Sequence, residues 1–250
     1  NGSGNSHIYY GWKAGGASVT NNNGTITSQV SANPSAGFSI VGWTGTAAAA
    51  TIGHGLNAAP NFIIVRRRSS ADWVVYHSSI GNTVALFLNG SNAAASSSFY
   101  WNNTSPTSSV FTVGAPGGGT NTSGENFITY CWTAIPGYSA FGSWVGSGSA
   151  DGPYIYLGFR PKMVLYKRSD AVGNDWTIHD STRDYYNGYS VELYPSLTNS
   201  EGGPYSPPVF DFLSNGLKIR NGTASYTNTS GGTYVYAAFA EIPFKYARAR

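Results

Sequence analysis

Short apolar runs punctuated by polar turn residues recur along the whole chain. FIIVRR, WVVYH, TVALFL and NFITYCW lie in the first half. MVLYKR, WTIHD, YSVELY, LKIR and TYVYAAFA lie in the second. Their β-branched and aromatic content predicts strands. NNTSPTSS, GAPGGG and SEGGPYSPP separate them and predict loops. No stretch combines a 3.6-residue apolar period with good helix formers, so no helix is expected. The AAAA run at Ala47 sits among Gly and Thr and reads as a loop. The Asn-Gly of LSNGLKIR predicts a hairpin turn with both central residues at positive φ.

The strand pattern is written twice. GFSIVGWTG from Gly37 returns as GYSAFGSWVG from Gly137. Pro60 opens NFIIVRRRS, and Pro161, 101 residues later, opens KMVLYKRS. Asp72-Trp73 returns as Asp175-Trp176 at an offset of 103, and NTSG from Asn121 returns from Asn228 at 107. Four landmarks in one order with slowly growing offsets indicate an internal repeat with small loop insertions. The expected fold is all-β: two tandem, related, jelly-roll-like β-sandwich units of about 100 residues each. The expected boundaries are 37–136 and 137–250, with 1–36 as an added strand or linker outside the repeat.

Composition narrows the classes further. Only 10% of the 250 residues are charged and 15% are aromatic, which argues against disorder. One Cys excludes a disulfide framework and any multi-Cys metal site. No apolar run approaches the roughly 20 residues that cross a bilayer as a helix, so no membrane insertion is expected. The net charge of +3 is thinly spread, and nucleic-acid modules carry denser Lys/Arg clusters. The chain begins at Asn1 without an apolar leader, and is read as part of a longer product.

Candidate chemistry is sparse. Neither a nucleophile elbow nor a phosphate loop is present. The four His are scattered, so neither a metal site nor a cofactor is expected. Cys131 in ITYCW reads as a buried structural thiol. Asp180 and Asp184, four apart beside Arg183 in HDSTRDYY, could lie near one another as a glycosidase pair requires, though a polar loop is the simpler reading. The Asp72-Trp73 and Asp175-Trp176 pairs suit a sugar, with an indole on the pyranose face and a carboxylate on its hydroxyls. The plainer reading gives Trp73 and Trp176 equivalent core positions and makes the two Asp turn caps. The candidate ligand-binding set is therefore Asp72, Trp73, Asp175, Trp176, Asp180, Arg183 and Asp184. Arg66, Arg67 and Arg68 suit phosphate, acidic polysaccharide or a neighbouring subunit, against the reading of a charged edge-strand end.

DFLSNGLKIR with NTSGGTYVYAAFAEIPFKYARAR, GFSIVGWTG, GHGLNAAPNFIIVRRRS and DWVVYHSS together resemble a domain of tailed-phage virion structural proteins, many from marine phages and cyanophages, and IYYGWKAGG resembles what precedes that domain there. The resemblance runs from about Ile8 to Arg250. It implies a location in the virion, on the particle surface, and a role as tail fibre, spike, appendage or capsid-surface protein. In longer members a concanavalin- or laminin-G-like domain often lies upstream. No catalytic residue transfers from it. The resulting expectation is a non-enzymatic adhesin that binds host cell-surface glycan, contacts other virion subunits and forms a homo-oligomer, a trimer being the fibre-like case. The rivals are a capsid-decoration or assembly protein and a polysaccharide depolymerase.

Overall fold

Apolar side chains on both faces of the longest strands force a layered solution. The protein is represented by a computed structural model, described over residues 7–184, 187–222 and 226–242. The carboxy-terminal FKYARAR of the closing signature lies outside the described residues.

In the first half the strands are β1 (Val19–Asn21), β2 (Ser28–Asn33), β3 (Phe38–Thr44), β4 (Ala50–Gly53), β5 (Phe62–Arg67), β6 (Trp73–His77), β7 (Gly81–Phe87), β8 (Ala95–Ser96), β9 (Val110–Val113) and β10 (Asn126–Trp132). In the second half they are β11 (Ser139–Val145), β12 (Tyr154–Tyr156), β13 (Pro161–Arg168), β14 (Thr177–Asp180), β15 (Ser190–Glu192), β16 (Gly202–Tyr205), β17 (Phe210–Leu213), β18 (Gly216–Ile219) and β19 (Thr233–Ala240). All the pairings between these strands are antiparallel, so the chain is all-β as expected. Besides a 3-10 turn at Pro34–Ala36, one α-helical turn departs from the expectation of no helix. It is α1 (Ser98–Trp101), made by the Ser97 hydroxyl accepting from the Phe99 amide, and by Trp101, buried against the first core.

An eight-stranded sheet runs β1-β2-β3-β10-β5-β6-β7-β8, and a four-stranded sheet runs β11-β19-β13-β14. Residues before Gly37 thus add β1 and β2 to the edge of the first sheet. The four central strands of the larger sheet run β3-β10-β5-β6. Trp43 lies opposite Phe127 with the rings stacked at 4.4 Å, and Trp144 lies opposite Tyr234 stacked at 5.0 Å.

Strand alternation sends the side chains into three cores. Ile63 and Val65 of β5 face a core covered by β4 and β9, while Phe62 and Ile64 face the other way. Tyr166 of β13 and Tyr234 of β19 face a core covered by β12, β18 and β17. Met163, Leu165, Val235 and Phe239 face Phe38, Phe62 and Trp132 of the first sheet in a third core. The central strands β5, β13 and β19 are therefore buried on both faces. This is why YVYAAFA is continuously apolar instead of alternating. Hydrogen bonds cross the seam as well. His77 Nε2 lies 3.0 Å from the Tyr236 carbonyl, and Trp176 Nε1 donates to the Phe87 carbonyl at 2.8 Å.

Two turn expectations are corrected. In the β17–β18 hairpin the loop residues are Ser214 and Asn215, because Leu213 pairs with Gly216. Neither Asn215 nor Gly216 has positive φ. Gly216 is needed for close approach instead, since a Cβ there would lie 2.2 Å from the Ile155 carbonyl oxygen of β12. The arginine run does not end an edge strand either, because β5 is flanked by β10 and β6.

The repeated NTSG marks a buried latch. Asn121 and Asn228 are fully buried. Asn121 Oδ1 accepts from the Thr46 amide at 2.8 Å while its Nδ2 donates to the Ala48 carbonyl. Asn228 Oδ1 accepts from the Ser147 amide at 2.7 Å and its Nδ2 donates to the Ser149 carbonyl at 2.7 Å. Each amide closes the loop that follows β3 or β11. Asn121→Ala and Asn228→Ala are each expected to cost about 1–3 kcal/mol, because buried backbone partners lose their bonds. Urea midpoints check this, and two unchanged midpoints would refute the latch.

Candidate functional site

One end of the seam between the large sheets is closed by the amino-terminal segment. Trp12 wedges between Trp132 (ring centroids 5.7 Å) and Phe239 (5.1 Å), both edge-on. This anchors Tyr10 beside the end of β14. A groove of about 440 Å³ opens there, lined by Tyr9, Trp12, Tyr138, Lys162, Arg183 and Glu241 among others.

Asp180 organises its polar wall. Its Oδ1 accepts from the backbone amides of Thr182 and Arg183, both at 3.1 Å, which fixes the turn after β14. Its Oδ2 accepts from the Tyr10 hydroxyl at 2.6 Å and from Arg183 Nε at 2.5 Å. Arg183 Nη1 reaches on to Glu201 Oε2 at 2.9 Å. Burial alone pushes the Asp180 carboxyl up, but the Tyr10 and Arg183 bonds outweigh it and the net shift is downward. Burial and the Asp180 carboxylate both push the Tyr10 phenol up. At neutral pH the wall is thus a neutral phenol, a carboxylate and a guanidinium held in fixed geometry. Lys162 donates to the Thr182 hydroxyl at the rim, and Glu241 pairs with Arg160 at 3.1 Å. Apolar ring faces beside alternating donors and acceptors suit a polyhydroxylated ligand.

Of the seven residues singled out in the sequence, the structure brings Asp180 and Arg183 into this groove. Asp184 turns inward instead. Its Oδ2 lies 2.7 Å from His179 Nδ1, its Oδ1 accepts from the Val191 amide at 2.7 Å, and it is 2% exposed. Asp180 and Asp184 therefore do not share a cleft. The two Asp-Trp pairs also part company. Trp176 is 0% exposed in the seam core, so its ring has no face to offer a sugar, which corrects the ligand reading of that residue. Asp175 accepts from the Ser196 hydroxyl at 2.9 Å and borders a different surface depression with Tyr194 and Tyr205. Trp73 is half-buried, with the Arg66 guanidinium 5.3 Å from its ring centroid. The exposed Asp72 accepts from Asn89 at 3.0 Å, and Asn89 in turn accepts from the Trp73 amide at 2.9 Å. Neither Asp72 nor Trp73 lines the groove.

Sequence reasoning missed Tyr10 and Trp12, because they stand apart from the recurring sequence landmarks that drew attention to Asp72-Trp73 and Asp175-Trp176. The aromatic density of IYYGW was the available signal. It also missed a buried charged cluster. His179 lies between Asp184 and Glu192, whose Oε1 is 3.5 Å from His179 Nε2. The Tyr166 hydroxyl is 3.4 Å from the same nitrogen, and Tyr194 donates to Glu192 Oε2. Burial lowers the His179 pKa, but the hydrogen bonds and charges of Asp184 and Glu192 outweigh it and the net shift is upward. Among the described residues no three His, Cys, Asp or Glu side chains form a metal-holding group. Cys131 is fully buried, and desolvation pushes its thiol far up, so it is no nucleophile.

The chain belongs to the family described as Domain of unknown function (DUF7483), which it matches over residues 1–243. No curated protein matches it. No solved structure matches it.

Proposed function

We propose that this DUF7483 chain is a non-enzymatic component of a tailed-phage virion, a fibre or appendage adhesin that holds host surface glycan in the groove over the seam. The observation that carries this is the groove wall itself. A fixed Tyr10–Asp180–Arg183 set beside Trp12 and Tyr138 pairs apolar ring faces with oriented hydrogen-bonding groups. Such a surface recognises sugars without a reacting centre. The fold supports the setting. A chain whose central strands are buried on both faces resists local opening and proteolysis outside a cell.

We also read the two halves as copies of one β unit, as the sequence landmarks suggest. The shared strand order, the stacked pairs Trp43–Phe127 and Trp144–Tyr234, and the latches Asn121 and Asn228 support this reading. On that alignment Tyr76 corresponds to His179. The first copy fills the position with an aromatic ring edge-on to Trp101, and the second installs the charged cluster.

A glycan array probed with the purified protein is expected to give specific hits that Arg183→Gln removes. A flat array, with the chain located on the capsid shell by imaging of the particle, makes it a decoration protein. Release of reducing ends from host polysaccharide makes it a depolymerase.

A further inference from the structure

The arginine run at the end of β5 has no counterpart partner set. In residues 137–242 every described arginine sits in an ion pair: Arg160 with Glu241, Arg168 with Asp170, Arg183 with Asp180, Arg220 with Asp211. Among the described residues of the first half, none of Lys13, Arg66, Arg67 and Arg68 does. Arg66 Nη1 is buried without a hydrogen-bond partner, its guanidinium lying over Trp73. The two carboxylates of that half are engaged elsewhere, Asp72 with Asn89 and Glu125 with Ser69. Since β5 is interior to its sheet, protection of a free edge does not account for these cations.

Two of them, Lys13 and Arg68, border a groove of about 610 Å³, separate from the one at Tyr10. Its floor is Ile40, Gly42 and Ile128 of β3 and β10, all half-buried. Arg68 stands on one side, where its amide continues the ladder by donating to the Asn126 carbonyl at 2.8 Å. Lys13 stands on the other, on a stretch of chain tied down at three points. The Lys13 carbonyl accepts from Asn33 Nδ2 at 3.1 Å, and the Gly16 carbonyl accepts from the Ser31 hydroxyl at 2.7 Å. Gly15 packs so closely that a Cβ would lie 2.1 Å from the Ala32 carbonyl oxygen. Gln29 and Ser31 add polar rim groups, and no carboxylate lines the groove.

We infer that this groove is a second binding site, for an anionic saccharide bearing carboxylate or sulfate groups. Two cations carried on tied-down backbone, across an apolar floor with neutral polar rims, match acidic groups flanking a sugar ring, whose C–H face rests on the isoleucines. Nucleic acid fits less well, because no aromatic side chain lines the groove for bases to stack on. The inference goes beyond the groove at Tyr10 and stands or falls separately from it.

Titration calorimetry at low salt tests it, with oligouronate, sulfated dextran, neutral dextran and single-stranded DNA as probes. The expected result is binding of the uronate, the sulfated polymer or both, and none of neutral dextran. Which polymer binds identifies the acidic group. The double variant Lys13→Gln, Arg68→Gln is expected to weaken that binding by about tenfold or more, as two charge-assisted contacts are lost. Both side chains are exposed, so its melting temperature should hold. Arg183→Gln should leave this binding unchanged. The proposal is overturned if neither anionic polymer binds, if the double variant binds them as the parent does, or if DNA binds as tightly as the saccharides.

Discussion

Replacing Asp184 with alanine is expected to cost about 3–5 kcal/mol of folding stability, the range for breaking a buried charge cluster by removing one partner. The carboxylate is the nearest acceptor of His179 Nδ1 and the acceptor of the Val191 amide, both at 2.7 Å. Without it the His179 ring keeps only the longer contacts of its Nε2 to Glu192 and the Tyr166 hydroxyl, and the Val191 amide is orphaned in the interior. Asp184→Asn should cost less, because its carbonyl still serves Val191. Urea unfolding of the two variants measures the difference. A loss for Asp184→Ala below about 1 kcal/mol, the scale of an ordinary hydrogen bond, would overturn the assignment.

The cluster also sets a pH dependence whose sign is fixed. The folded pKa of His179 is raised, so its stabilisation is present below the ordinary imidazole value of about 6.5 and is lost as pH rises through the folded value. For Glu192, burial pushes up, but the bonds from His179, Tyr194 and Tyr226 prevail and the folded pKa is lowered. Its stabilisation is present above the ordinary carboxylate value of about 4.3 and is lost as pH falls through the folded value. The two overlap fully between about pH 4.3 and 6.5. His77 works in the opposite sense, because burial lowers its pKa to about 4. Its contribution is whole above about pH 6.5 and is lost as pH falls towards 4. Melting curves across this range should therefore lose their alkaline-side decline in Asp184→Ala and keep their acid-side decline.

Trp176→Ala is expected to cost about 3–5 kcal/mol, whereas Trp73→Ala should cost only about 1–2 kcal/mol. The two residues occupy the same place in the repeated Asp-Trp motif, but their surroundings differ. Trp176 is 0% exposed, meets Phe62 edge-on at 6.4 Å and donates to the Phe87 carbonyl across the seam. Its loss opens a cavity between sheets that cannot close without moving both. Trp73 lies half-buried under Arg66 and leaves a dent that solvent fills. Chemical denaturation of both variants is the test, and equal costs would refute the asymmetry.

The sequence by itself determined the strand content, the turn-rich loops and the recurrence of short motifs such as Asp-Trp and NTSG. Each of these is local: β-branched and aromatic runs pleat, Gly and Asn turn, and a motif written twice is visible wherever it folds. It also placed Asp180 beside Arg183, since three residues cannot separate far in a tight turn. Tertiary structure alone decided which faces are buried. Both large sheets meet in a third core, so alternation in TYVYAAFA is erased, and Trp176 is sealed while Trp73 is not. It alone carried Tyr10 across 170 residues of chain to Asp180, and turned Asp184 inward to His179. It also made β5 an interior strand, which changed the meaning of its arginines. The physical reason is common to all four. A residue's chemistry follows from what packs over it, and here the covering layers come from distant parts of the chain.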